Sequence, residues 1–192
     1  MSRNLVIMAA VAVLAAAGGY FVAMKFAPVQ QGAIGAPVTP EVSTDRHVED
    51  LLGRRRPDFV LSDSAGSAIS ADDFNGRVWL VNFWATWCAP CVEEMPMLAG
   101  LRQRFAGQGV EVVGIALADP EKAKAFAEGL GIHYPILVGQ TDVMLVGRRY
   151  GNRSGMLPYS VLIDADGIVR WVRLGALEPD ALTQQVEALL GG

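Results

Sequence analysis

Asn82-Phe83-Trp84-Ala85-Thr86-Trp87-Cys88-Ala89-Pro90-Cys91-Val92-Glu93-Glu94-Met95-Pro96 holds both cysteines of this 192-residue chain. The stretch follows directly on the apolar run Val78 to Phe83, which has the length and composition of a buried strand. After it, Val92, Met95, Leu98 and Leu101 recur at helical spacing, with Arg102 and Arg104 near the end, and this predicts a helix over about 89–105. Pro90 suits the first turn, where its missing N–H is no loss. Pro96 falls inside the helix, frees the carbonyl of Val92 and predicts a kink.

Two residues between cysteines at a helix start place one thiol exposed at the N-terminus and the other a turn deeper, within reach of an exchangeable disulfide. Tetrahedral zinc needs four ligands, and beyond the two cysteines the chain offers only His47 and His133, each isolated in sequence. A purely structural disulfide closing so short a loop removes little chain entropy. Redox exchange is the better reading, with Cys88 as nucleophile, its thiolate favoured by the helix dipole and the free amides, and Cys91 as resolving thiol. Glu94 lies three residues after Cys91 and shares its face, whereas Glu93 is turned away. A carboxylate there, if desolvated, takes and returns the proton that Cys91 loses; the alternative is a solvated first-turn acid that only favours the dipole.

Trp87-Cys88-Ala89-Pro90-Cys91 with Pro96 resembles the thioredoxin superfamily, and Asn82 to Cys88 followed by Glu94-Met95-Pro96 resembles its TlpA/ResA branch. The resemblance runs from about Pro57 to Leu190 and takes in Asp58-Phe59, Gly76, Leu157-Pro158 and Leu162-Ile163-Asp164. It implies an α/β thioredoxin-like fold: a central mixed sheet flanked by helices, with a central insertion between the Cys88–Cys91 helix and the strand after Pro158. It also implies a cis peptide before Pro158, facing the disulfide. Thioredoxin's buried acid falls at Asn82 here, which exchanges no proton. The branch instead has a glutamate at the place of Glu94.

Outside this region, Leu5 to Met24 is uncharged and long enough to cross a bilayer, so residues 1–26 are expected to be a retained membrane anchor, with a cleaved signal peptide as the alternative. Arg3 on the cytoplasmic side would put the following domain outside, in a bacterial periplasm. Residues 27–45, rich in Pro, Gly, Gln and Ala, read as a flexible linker spanning about 25 Å. Residues 46–192 suit one domain. Within it we expect strands at 58–61, 78–84, 110–116, 135–138, 159–163 and 168–174. Asp119-Pro120 opens a helix that Gly131 ends, Asp166-Gly167 makes a hairpin turn, and a helix covers 178–190.

Substrate contact is expected from the peptide before Pro158, which would pair with an extended cysteine-bearing segment, and from Trp87, Ala89, Pro90, Met156 and Leu157 around it. Trp84 and Met95 are expected in the core, Met97 likewise, and both histidines as structural or solvated. Arg54-Arg55-Arg56 is expected as a solvated loop; acidic neighbours and a net charge of -4 argue against nucleic acid. No cofactor beyond the Cys88–Cys91 disulfide is expected. The resemblance implies a reductant of protein disulfides, recharged by a membrane donor of the DsbD/CcdA kind and serving cytochrome c maturation or oxidase assembly. Two rivals share the residues: a dithiol oxidase, and a Cu(I) carrier holding the metal on both thiolates. A peroxidase is disfavoured, since the threonine-containing peroxidatic motif of peroxiredoxins is missing.

Overall fold

Val78–Trp84 (β3) has all seven residues buried, as expected of a strand covered on both faces. In a computed structural model that describes residues 50–191, it is an inner strand of a seven-stranded mixed sheet in the order β2-β1-β5-β4-β3-β6-β7. Val110–Leu117 (β4) and Ile136–Gly139 (β5) continue from it in parallel. Tyr159–Ile163 (β6) and Val169–Leu174 (β7) extend the other side antiparallel. The edge beyond β5 is an antiparallel pair, Val60–Asp63 (β1) and Ala68–Ser70 (β2). The short β2 was not anticipated, and β1 begins two residues later than the expected 58–61. Asp63 explains the turn between them, because its side chain accepts hydrogen bonds from the Ala65 and Ser67 amides.

Period-two alternation divides β3 between two apolar layers. Leu80 and Trp84 face the layer built with Ala89–Phe105 (α1), Pro120–Gly129 (α2) and Pro179–Leu190 (α4). Trp79, Val81 and Phe83 face the opposite layer, which includes Val143 and Val146 of Thr141–Arg149 (α3). The expected α/β arrangement of a mixed sheet between helices is therefore present. Between α1 and β6 lie β4, α2, β5 and α3.

The helix α1 covers the residues expected of it and continues unbroken through Pro96. It buries Cys91, Met95, Leu98, Leu101 and Phe105 on one stripe. Asp119 caps α2 through the amides of Glu121 and Lys122, and Pro120 occupies the first turn. Trp84 and Met95 are core residues, and Met97 packs partly buried against them.

The arginine run departs from expectation. Arg54 and Arg55 are exposed, but Arg56 is buried at 3% exposure. Its guanidinium lies 2.5 Å from both Asp58 and Asp72, donates to Asn75 and sits over the Trp79 ring at 5.9 Å. The two carboxylates and the ring compensate the removal of this charge from water, so it ties the chain before β1 to the 3₁₀ turn at 71–74. Among the described residues no helix is long and apolar enough to cross a membrane. The expected anchor, the linker and His47 lie outside the described residues.

Candidate active site

At the end of β3 the chain turns through Ala85, Thr86 and Trp87, and Cys88 becomes the N-cap of α1. Its N–H donates to the Ala85 carbonyl at 3.1 Å, and its own carbonyl accepts from Val92 at 3.2 Å, the first turn of the helix. Cys88 and Cys91 are joined as a disulfide, with Cα atoms 5.3 Å apart. Cys91 is fully buried and Cys88 is 6% exposed. The asymmetry has the expected sense, but Cys88 is far less open than a free helix-start thiol, because in the disulfide its sulfur is held against the buried one. Ala89 and Pro90 are exposed beside it, and Trp87 projects at 71% exposure.

One turn beyond Cys91, Glu94 is 5% exposed while Glu93 is exposed, so the face argument sorts the two acids as expected. Glu94 Oε1 accepts from Asn82 Nδ2 at 2.7 Å, and Oε2 accepts from the Leu177 amide at 3.0 Å. Burial pushes its carboxyl above the usual range, and the two hydrogen bonds oppose that shift. Asn82 also donates to Ser160 Oγ at 3.0 Å, across the β3–β6 pair in which the two residues are direct partners. A buried polar line thus runs from β6 through β3 to α1 and on to the loop before α4. Ser160 and Leu177 were not singled out in the sequence. A serine inside the apolar run Tyr159 to Ile163 is a readable sign of a buried polar contact, but the Leu177 contribution is a backbone amide and leaves no residue-type signal.

The Leu157–Pro158 peptide is cis, as expected. The register Phe83↔Tyr159 carries Pro158 alongside the end of β3 from which Cys88 follows. Before it, Asn152 is buried and shapes the loop: Nδ2 donates to the Met156 carbonyl at 2.9 Å, and Oδ1 accepts from Ser154 Oγ at 3.2 Å. Met156 is 55% exposed and Leu157 is half-buried. Among the described residues, no hydrogen bond engages the Leu157 N–H or carbonyl. His133 is exposed. Among the described residues no group of three or more His, Cys, Asp or Glu side chains converges.

With a closed Cys-x-x-Cys pair at the start of α1 and a cis proline alongside, residues 52–172 match the profile described as the AhpC/TSA family. The chain belongs to the AhpC/TSA family. Among curated relatives of this family member, the thiol-disulfide oxidoreductase ResA of Geobacillus thermodenitrificans (strain NG80-2) is 35% identical over 139 residues, 72% of this chain and 78% of that one. The thioredoxin-like protein YneN of Bacillus subtilis (strain 168) is 30% identical over 139 residues, 70% of this chain and 78% of the other. Among solved structures, a putative thiol:disulfide interchange protein DsbE from Chlorobium tepidum superposes with a TM-score of 0.67 at 29% identity, covering 73% of this chain and 98% of that one. This AhpC/TSA member is accordingly thioredoxin-like in fold and a thiol-disulfide oxidoreductase of the ResA/DsbE type.

Proposed function

We propose that this AhpC/TSA protein is an extracytoplasmic reductant of protein disulfides, tethered to a bacterial inner membrane by residues 1–26 with its catalytic domain in the periplasm. In the reduced form, the Cys88 thiolate, favoured by the first-turn amides of α1, attacks one sulfur of a partner disulfide. A Cys88–partner S–S bond forms and the partner's other sulfur leaves as a thiolate. Cys91 then loses its proton to Glu94 and attacks the Cys88 sulfur, which releases the second partner thiol and closes Cys88–Cys91. Two electrons pass from the cysteine pair to the partner.

The observation that carries this reading is Glu94: a desolvated carboxylate one turn from the buried Cys91, held by Asn82 and Leu177. The partner segment adds as a strand to the unpaired Leu157 peptide beside Pro158, with Trp87 and Met156 as apolar flanks and Ala89 and Pro90 bordering the sulfur. The direction of electron flow rests on the likeness to ResA proteins. It implies a membrane donor of the DsbD/CcdA kind and acceptors such as the disulfide of an oxidised apocytochrome c or of an oxidase-assembly protein. The disulfide itself serves as the redox group.

A peptide bearing an oxidised Cys-x-x-Cys-His sequence tests the direction. The reduced protein is expected to reduce that peptide almost completely, followed by tryptophan fluorescence and mass spectrometry. Net oxidation of the dithiol peptide by the disulfide form would instead make the protein a disulfide donor.

A further inference from the structure

We propose that Gly175, Ala176 and Leu177 form a positioning strap, through which a partner docked on the cis-proline edge acts on Glu94, the carboxylate that serves Cys91. This rests on the thiol-disulfide exchange reading above and adds a link between docking and the resolving step. The strap lies between the end of β7 and the start of α4. At one end the Gly175 N–H donates to the Pro158 carbonyl at 2.9 Å, and at the other the Leu177 N–H donates to Glu94 Oε2 at 3.0 Å. The first bond extends the β6–β7 ladder one step past the Tyr159↔Leu174 pair, and Pro158, having no N–H, gives none in return. One residue, the exposed Ala176, separates the two donors, so the strap spans at most about 7 Å and carries little slack.

Gly175 has a φ of 91°, a conformation that favours glycine, yet a Cβ there would meet nothing within 4 Å. The turn that sets the two donors calls for glycine; space does not. Leu177 is buried in the layer that holds Cys91, Trp84 and Met95, which keeps its amide aimed at Glu94. Asn82 faces the carboxylate from β3 and Cys91 from its own helix, and Tyr134, before β5, feels its charge with a phenol that burial keeps neutral. Glu93 and Glu178 are exposed. Burial raises the Glu94 carboxyl, and the Leu177 bond opposes that shift by favouring the charged form. The bond already has ordinary hydrogen-bond length, so displacing the strap weakens it and raises the proton affinity of Glu94. A partner strand on the Leu157 peptide shifts the adjoining Pro158, and Gly175 with it. Docking thus strengthens the base that takes the Cys91 proton, and by linkage a protonated Glu94 favours docking by the same factor.

The test uses the full chain with Cys91→Ser, isotope-labelled and in detergent micelles, with Cys88 coupled chemically either to a cysteine peptide long enough to lie along Leu157 or to mercaptoethanol, which occupies the sulfur alone. Without the Cys91 thiol, the titration read at the Leu177 amide by NMR belongs to Glu94, and Glu94→Gln should abolish it. The peptide adduct is expected to titrate at higher pH than the mercaptoethanol adduct. Gly175→Ala, strained at its φ, should move the mercaptoethanol adduct's midpoint up and remove the difference between adducts. Ala176→Gly, an exposed change that adds slack and keeps both donors, should shrink that difference. Equal midpoints for the two adducts of the Cys91→Ser chain, or a difference that Gly175→Ala and Ala176→Gly both leave intact, would overturn the strap. The adducts do not depend on turnover, so failure of the reduced parent chain to reduce the oxidised Cys-x-x-Cys-His peptide would sink the exchange reading separately.

Discussion

Replacing Cys88 with serine is expected to drop disulfide exchange to the uncatalysed background, whereas replacing Cys91 with serine should leave a stable mixed disulfide between Cys88 and its partner. The two cysteines differ in placement rather than in chemistry. Cys88 is the N-cap, where first-turn amides without helical acceptors stabilise a thiolate, and it retains some exposure between Ala89 and Trp87. Cys91 is fully buried behind it, packed in the layer with Leu80, Trp84 and Met95, where no macromolecular disulfide can reach. A serine hydroxyl at position 88 is too weakly acidic to attack, and the remaining thiol is out of reach, so activity is lost outright. A serine at position 91 leaves the attack intact and removes only the resolving step. Mass spectrometry of the Cys91→Ser protein after incubation with a disulfide substrate should show one adduct, released by dithiothreitol. A fully active Cys88→Ser protein, or a stable adduct on Cys91 of the Cys88→Ser protein with none on the Cys91→Ser protein, would contradict this assignment.

Changing Glu94 to glutamine is expected to slow the resolving step by about 10²-fold at neutral pH, in the range of a lost general base, while making the folded domain more stable there. The two effects have opposite signs, which separates a proton role from a structural one. Burial raises the Glu94 carboxyl above its ordinary value of 4.5 in the folded domain. Between that value and the raised one the folded state binds more protons than the unfolded state. The stabilising contribution of the protonated acid is therefore complete below about pH 4.5 and is lost as pH rises through the folded value. Glutamine is neutral throughout, so the variant's melting temperature should fall less steeply with rising pH across that window. Its remaining oxygen can still accept from the Leu177 amide. Its new NH₂ can donate to Asn82 Oδ1, which has no partner in the parent structure, once the Asn82 amide turns over. Stopped-flow exchange and thermal melts from pH 4 to pH 8 measure both effects. An unchanged resolving rate would remove Glu94 from the chemistry.

Much of this site is legible in the sequence alone. The bounds of α1 followed from Pro90 at its start and an apolar stripe from Val92 to Leu101, and β3 and β6 were mainly apolar runs with the composition of buried strands, broken only by Asn82 and Ser160. Glu94 could be set apart from Glu93 because helical geometry alone decides which of two adjacent residues shares a face with Cys91. The misses are long-range. Arg56 looked like one more solvated arginine because Asp72 and Asn75 stand 16 and 19 residues away and converge on it only through the turn after β2. The N-cap of α3, Gln140, makes no side-chain cap, so the helix's beginning carried no signal, although Val143 and Val146 lie on its buried face. The link from Ser160 through Asn82 to Glu94 depends on the β3–β6 register, which neither strand specifies by itself.

The central claim, that the Cys88–Cys91 pair delivers electrons to oxidised partners, is tested most directly by its reduction potential, obtained by equilibrating the protein in thiol buffers and following tryptophan fluorescence, for which the exposed Trp87 beside the nucleophile is the natural reporter. A value near or below about -220 mV, within the range spanned by thioredoxin and the glutaredoxins, is the predicted result. A value near about -120 mV, that of a strong disulfide donor, would contradict it and reverse the assigned direction of electron flow.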